Sequence, residues 1–554
     1  MADLDFFHVT IGDLLTAQAA RYAEREALVH LDQGVRLTYA QLAAACDQAA
    51  CGLMALGVNK GDHVGLWAPN DAAWAIVQLA AAQIGAILVT INPHYRLHEL
   101  SYILRHAQVN ELIVKGSPKY LNVLHELIPE LRRQHPGTLD WDALPHLRHI
   151  VTLGQEPQPG LWSWDDVEQL GAAVSPEALA ARRAACHPDD VMNIQFTSGT
   201  TGVPKGAMLT HRNLVSNAIL VTDCLALAPD DRLCLPVPFF HCFGCVMGTL
   251  GCLVRGAALI VPGDYFDAFN TLRAIEQERC TAIYGVPAMF IAELSDARLP
   301  SFDLTSLRTG IMAGSPCPIA LTRRVVAEMG VRELTIAYGL TEASPIVTQT
   351  RVTDPPVRRI TTVGKPLPGV EVRLVDPVSR QDVAVGGYGE LWTRSPMVMP
   401  GYFAMPDATA DAVDADGWLH TGDLAMIDRD GYYHITGRMR DMIIRGGENI
   451  YPREIEDFLD THPKIAQVQV IGVPDLKYGE EVMAWIQLRA GESATVDEIR
   501  SFCRGQIANY KIPRYIRFVS DFPSTATGKI RKNVMREMAI AELGLQALEA
   551  IETA

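Results

Sequence analysis

Thr197-Ser198-Gly199-Thr200-Thr201-Gly202-Val203-Pro204-Lys205-Gly206 follows directly on the apolar run Val191 to Phe196, and its reading decides the fold. The stretch sets four hydroxyls, three glycines and a lysine at the end of what reads as a strand. Glycines let backbone amides approach anionic oxygens, hydroxyls add short donors, and the lysine adds a point charge, as a triphosphate requires. The spacing departs from the common nucleotide loop G-x-x-x-x-G-K-[ST], which opens a helix whose first turn holds the anion. Here Pro204-Lys205-Gly206 stands at the corresponding offset, and Pro and Gly around the lysine favour a turn between strands.

Outward from the loop, apolar strand-like runs alternate with helical patterns. On the N-terminal side these are Ala27 to His30, a helix from Tyr39 to Leu56, His63 to Ala68, a helix near Ala72 to Ala82, and Ile87 to Ile91. Similar runs recur at Asp231 to Pro236, Ala257 to Val261, Ala282 to Tyr284 and Thr309 to Met312. This alternation predicts βαβ units and parallel sheets, hence an α/β fold with a large N-terminal domain of layered sheets. From about 361 to 436 the strands become short and bounded by Gly and Pro, predicting a smaller β-rich subdomain. After Gly437-Arg438-Met439-Arg440-Asp441 a compact pattern resumes: helix Pro452 to His462, strands Val468 to Val473 and Val482 to Arg489, helix Val496 to Ile507, and strand Ile516 to Val519. Residues 441–554 are expected to form a small α+β domain with its own core, following a domain of residues 1–440.

A chain of 554 residues exceeds one core, and 48% hydrophobic with 20% charged residues is ordinary globular usage. The net charge of −16 argues against generic nucleic-acid binding, although local basic groups can still hold anionic substrates. The 11 cysteines follow no disulfide framework and read as reduced, mostly buried residues; the lone pair Cys242 and Cys245 reads as core packing. The start Met1-Ala2-Asp3-Leu4-Asp5 carries acids where a signal peptide carries bases, and Ala72 to Ile91 is broken by Gln78, Gln83 and Gly85. A cytoplasmic protein without an integral membrane segment is expected.

The loop resembles the S-G-T-T-G-x-P-K-G signature of the adenylate-forming superfamily, which includes acyl-CoA synthetases, aryl-CoA ligases, peptide-synthetase adenylation domains and luciferases. Further motifs carry the likeness over essentially the whole chain. Ala337-Tyr338-Gly339-Leu340-Thr341-Glu342 contains the family's Y-G-x-T-E; the resemblance implies that Tyr338 stacks on adenine, Thr341 donates to the α-phosphate and Glu342 ligates Mg²⁺. Ala313-Gly314-Ser315-Pro316 resembles the small-residue turn beside the base. Thr421-Gly422-Asp423 and Arg438 match the residues that take the ribose, and Lys529 in Pro523-Ser524-Thr525-Ala526-Thr527-Gly528-Lys529 matches the lysine that contacts the substrate carboxylate and the α-phosphate. By the same likeness the chain pivots at Asp441, Arg445, Gly446 and Gly447 serve CoA, and Gly447 lines the pantetheine tunnel. ATP, Mg²⁺ and coenzyme A are therefore implied, and the resemblance admits a homodimer.

The resemblance implies an in-line attack of the carboxylate on the α-phosphorus, loss of pyrophosphate, and transfer of the acyl group from the adenylate to CoA. On the acyl side, Pro238-Phe239-Phe240-His241-Cys242 resembles the aromatic gate, where amino-acid-activating relatives carry Phe-Asp to pair the substrate ammonium. Phe240-His241 points instead to an acid without an α-amino group, with Phe240, His241, Cys242, Val246, Ala313 and Leu340 around the acyl chain. Asn193-Ile194-Gln195-Phe196 and the segment Arg440 to Pro452 look closest to short- and medium-chain fatty acyl-CoA synthetases. An aryl-CoA ligase shares every nucleotide motif, and a silent binding protein could share the fold, although the intact Lys529, Glu342 and loop oppose that reading.

Overall fold

A computed structural model of the chain describes residues 8–133, 136–137, 141–154, 158–197, 204–445, 448–476, 478–504, 506–507, 509–525 and 529–546. Strands that are apolar on both faces need a helical layer on each side, and two sheets form on that principle. The first is eight-stranded, in the order Gly401–Tyr402, Lys205–Thr210, Val191–Thr197, Ile87–Thr90, His63–Trp67, Glu111–Lys115, His149–Leu153 and Trp162–Ser163. Its pairs are parallel from Val191–Thr197 to Trp162–Ser163. Lys205–Thr210 runs antiparallel to Val191–Thr197 with Lys205 opposite Thr197, so the lysine opens the second strand of the pair.

The second sheet is nine-stranded: Lys365–Pro366, Ile346–Gln349, Glu333–Gly339, Thr309–Met312, Ala282–Gly285, Arg232–Cys234, Ala258–Val261, Glu26–His30 and Val35–Thr38. Val35–Thr38 is absent from the sequence expectation; it is a half-exposed strand of a hairpin with Glu26–His30 and lacks the apolar run that marks its neighbours.

Alternate residues of these strands enter different cores, which fixes the layering. Leu66, Leu88 and Met192 of the first sheet share one buried cluster with Leu28, Leu233, Leu259 and Ile311 of the second. Between them lie helices Ile11–Arg21, Tyr39–Ala55, Ala72–Gln83 and His211–Cys224. The outer face of the first sheet packs on Leu97–His106 and Pro118–Leu127, and that of the second on Ala268–Glu278, Pro287–Ser295 and Ile319–Glu328. Ala72–Gln83 is buried almost throughout, which explains its lack of amphipathic period, and among the described residues no helix is long and apolar enough to cross a membrane.

Contact density divides the chain into two units, Met1–Val372 with Thr393–Leu419, and Arg373–Trp392 with His420–Ala554. The second unit holds the hairpin Leu419–Ile427 and Tyr433–Arg438, followed by an α+β body. In that body Ile465–Asp475 and Gly479–Leu488 pair antiparallel, flanked by Ile443–Arg445 and by Tyr515–Phe518. Helices Pro452–Leu459 and Val496–Cys503 supply Ile455, Leu459, Ile499 and Cys503 to one face, and Lys532–Leu543 supplies Met535 and Ala539 to the other. Val496–Cys503 closes earlier than its sequence suggests because Arg504 turns extended, with φ −61° and ψ 128°.

Glu293 on Pro287–Ser295 departs from the apolar rule. It is 1% exposed beside Phe290 and Leu294, and neither carboxyl oxygen has a hydrogen-bond partner among the described residues. Burial raises its pKa well above 4.5, so the folded state holds the proton. Its contribution to stability is complete below the ordinary carboxyl range and is lost as pH rises toward the raised folded-state value. Glu293→Gln, which cannot ionise, is expected to gain stability relative to the parent as pH rises from 5 to 8, by at most about 1.4 kcal/mol per pH unit. Thermal melts of both proteins across that range check it; a constant difference contradicts the account.

Candidate active site

The carboxyl ends of parallel strands are where a ligand crevice forms in α/β sheets, and the first unit gathers its marked residues there. Thr309–Met312 and Glu333–Gly339 are neighbouring parallel strands. The first leads into Ala313, Gly314, Ser315 and Pro316, where Gly314 takes φ +84°, a conformation that side chains strain. The second ends in Ala337-Tyr338-Gly339 and then makes the single turn Thr341–Ala343.

Gly339 is required by close approach. A Cβ there would stand 1.9 Å from the Pro345 carbonyl oxygen, which accepts a 2.8 Å hydrogen bond from the Leu340 amide. The far side of this turn is pinned by Asn217 of helix His211–Cys224. Its buried side-chain amide donates to the Ile346 carbonyl at 2.9 Å and accepts from the Ile346 amide at 3.2 Å.

Glu342 is 9% exposed on that turn. Its Oε1 accepts the Tyr402 hydroxyl at 2.7 Å and the Thr197 hydroxyl at 3.4 Å, and its carbonyl accepts the Met399 amide at 2.8 Å. Burial, and then the neighbouring carboxylate, push the Tyr402 phenol far above its usual range. Lys205 Nζ stands 5.1 Å over the centre of the Tyr402 ring. Thr197, Lys205 and Glu342 are thus brought together in one patch. Ser198, Gly199, Thr200, Thr201 and Gly202 lie outside the described residues.

Next to this patch, Phe240 and His241 have ring centres 4.3 Å apart, and the His241 carbonyl accepts the Gly244 and Cys245 amides at 2.9 Å. Gly244 has no room for a Cβ, which would meet the Pro238 carbonyl oxygen at 2.2 Å. The helical stretch Phe243–Leu250 follows, with Val246 fully buried; Ala313 shares its core, and Leu340 is half-buried. Cys242 and Cys245 are separated by the buried Gln195 amide, which accepts from the Cys242 thiol at 3.0 Å and donates to the Cys245 sulfur at 3.0 Å. Burial raises both thiols, Cys245 to about 12; for Cys242, the neighbouring Cys245 and Glu342 add to the rise and the Thr341 hydroxyl opposes it. Thr341, Glu342 and Cys242 therefore face one another.

Sequence reasoning assigned no role to Tyr402 or Gln195. Gln195 was legible as a polar residue inside an apolar strand, whereas Tyr402 sits on the two-residue edge strand Gly401–Tyr402, too short to leave a pattern.

The second unit presents its own set. Asp423 and Arg438 face each other across the hairpin, with Arg438 Nε 3.1 Å from Asp423 Oδ1. Within the same strand, the preceding Gly422 takes φ +68° and its amide donates to Glu390 at 3.0 Å. Asp441 closes the short turn Met439–Asp441. Arg445 pairs bidentately with the buried Glu481 at 2.8 Å and lies 4.1 Å over the Tyr478 ring. Lys529 is exposed, and its main chain exchanges hydrogen bonds with Thr525, from amide to Thr525 Oγ1 at 3.1 Å and from the Thr525 amide to its carbonyl at 2.8 Å. Gly446 and Gly447 lie outside the described residues.

The hairpin beside a strand-end carboxylate carries the motifs that resemble those of adenylate-forming enzymes, and the comparisons show that family. The AMP-binding enzyme family model matches residues 15–403, and the model of the AMP-binding enzyme C-terminal domain matches 454–529. The chain is 50% identical to the Bacillus subtilis (strain 168) protein YngI, named as an acyl-CoA synthetase, over 99% of this chain and 100% of that one. It is 43% identical to the medium-chain acyl-CoA ligase ACSF2, mitochondrial, of Danio rerio, covering 97% and 89% of the two chains. The crystal structure of the anthranilate CoA ligase AuaEII in complex with anthranoyl-AMP superposes with a TM-score of 0.86 at 30% identity, covering 98% and 99%. The chain belongs to the AMP-binding enzyme family. It is an AMP-forming acid–CoA ligase, using ATP and CoA.

Gly339→Ala tests the close approach. The methyl meets main chain and cannot rotate away, so the turn bearing Thr341 and Glu342 is expected to shift, with a stability loss of about 1–3 kcal/mol and a larger fall in adenylate formation. Melting temperature and pyrophosphate release check this; parent-like values for both contradict it.

Proposed function

We propose that this enzyme activates a short- or medium-chain aliphatic carboxylate as its acyl-adenylate and passes the acyl group to CoA. The observation that carries the reading is the buried Glu342 carboxylate held by Tyr402 and Thr197 beside Lys205. A single carboxylate among hydroxyls is a hard-oxygen set, the kind that shares Mg²⁺ with phosphate oxygens. When bound, Mg²⁺ supplies charge neutralisation between those phosphate oxygens.

The chain's own residues do the rest by position and charge. Thr197, Lys205 and the loop residues Ser198, Gly199, Thr200, Thr201 and Gly202 hold the phosphates, and Thr341 donates to the α-phosphate. Tyr338 stacks on the base, against Ala337, Gly339 and the turn of Gly314, Ser315 and Pro316. In the second unit Asp423, oriented by Arg438, takes the ribose hydroxyls, and Lys529 neutralises the oxygens as the carboxylate displaces pyrophosphate. Arg445, Gly446 and Gly447 serve CoA, after the residues from 441 onward reorient about Asp441.

The acyl side supports an acid without an ammonium group. Phe240, His241, Cys242, Val246, Ala313 and Leu340 offer no carboxylate to pair one, and relatives named medium-chain acyl-CoA ligases cover nearly the whole chain. Carboxylate-dependent pyrophosphate release, with and without CoA, over aliphatic acids of increasing length and over aromatic acids tests this. Preference for an aromatic acid selects the aryl-CoA ligase reading instead.

Lys529→Ala separates the half-reactions. Loss of one charge that acts on the developing oxyanion is expected to slow adenylate formation about a hundredfold, or about 3 kcal/mol. Thioester formation from supplied acyl-adenylate is expected to persist. Equal losses in both steps would remove Lys529 from this role.

A further inference from the structure

Tyr402 touches both kinds of group that hold the phosphates. Its hydroxyl donates to Glu342 Oε1 at 2.7 Å, and its ring face lies under Lys205 Nζ at 5.1 Å. The backbone around it is tied to the strand that begins at Lys205: Tyr402 pairs with Ala207, and the Phe403 amide donates to the Gly206 carbonyl at 2.8 Å. On the other side the Tyr402 amide donates to Thr409 Oγ1 at 2.9 Å, and a Cβ on Gly401 would meet Thr409 Cγ2 at 2.7 Å. The side chain is 8% exposed, so its phenol has one orientation and a partner in it. A buried carboxylate whose oxygen accepts two hydroxyls has its rotation fixed, and an ammonium over an aromatic face is held by the ring quadrupole.

We propose that Tyr402 is a positioning residue that sets Glu342 for the metal and Lys205 for the phosphates, through its hydroxyl and its ring separately. The inference rests on the reading of Glu342 as the magnesium carboxylate. Tyr402→Phe removes the hydroxyl and keeps the ring; Tyr402→Leu removes both.

The probe is Mn²⁺ binding to the enzyme with a non-hydrolysable ATP analogue, followed by electron paramagnetic resonance, together with calorimetric binding of the metal-free analogue. Outer partners of a metal ligand typically matter about tenfold in metal affinity, and Tyr402→Phe is expected to weaken Mn²⁺ binding by about that factor. Metal-free analogue binding should stay at the parent value in Tyr402→Phe, which also reports an intact fold, and fall severalfold in Tyr402→Leu. In a Glu342→Gln background, Tyr402→Phe should add nothing further to the loss of Mn²⁺ affinity, because it acts through the carboxylate.

Parent-like Mn²⁺ affinity in Tyr402→Phe overturns the proposal, as do additive effects in the double variant or equal metal-free affinities in the Phe and Leu variants. If Glu342→Gln alone binds Mn²⁺ like the parent, the magnesium reading of Glu342 fails instead, whatever Tyr402 does.

Discussion

Burying a carboxylate without compensation is prohibitive, and the arrangement around Glu342 follows from that constraint. Its carboxylate is compensated from two separated places, the end of Val191–Thr197 and the edge strand Gly401–Tyr402, while the loop that supplies the Met399 amide holds its main-chain carbonyl. These segments cannot drift independently, because each satisfies the same residue. Asn217 performs the corresponding service from below, closing the polar groups of Ile346 inside an otherwise apolar middle layer. The apolar layers give rigidity, and the few buried polar groups fix where the strand ends stop.

The large features were legible in the sequence because they depend on period and punctuation. Thr309 to Met312 was bounded as it occurs, and Ala27 to His30 and Ala257 to Val261 to within a residue, since buried parallel strands read as uninterrupted apolar runs. The hairpin behind the hydroxyl loop was legible from Pro204 and Gly206. Val35–Thr38 was not, because a half-exposed edge strand has no such run. Helix Val496–Cys503 was read too long, since its end depends on one backbone torsion at Arg504 rather than on composition.

Within the site, Tyr338, Thr341, Glu342 and Lys205 were singled out from local motifs. Their partners were not, because Tyr402 and Gln195 act through contacts that bridge long stretches of chain: Tyr402 is 60 residues from Glu342, and Gln195 is 47 residues from Cys242. One-dimensional reading finds residues that sit in a recognisable run. It misses those whose meaning comes only from what the fold sets opposite them, and Arg445 shows the same limit, since its bidentate pairing with Glu481 leaves no trace in the local sequence.

The distance in sequence between Glu342 and Tyr402 also bears on the order in which the protein is made. The hairpin of Val191–Thr197 and Lys205–Thr210 and then the Glu342 carboxylate leave the ribosome first, and Tyr402 follows 60 residues after Glu342. At a synthesis rate of about 5–20 residues per second, that is an interval of roughly 3–12 s in which Glu342 exists without the hydroxyl of Tyr402. During that interval the nascent chain carries Thr197, Lys205 and Glu342 but lacks the phenol that donates to the carboxylate. The contact between Glu342 and Tyr402 therefore forms only after most of the sequence of the first unit has been made.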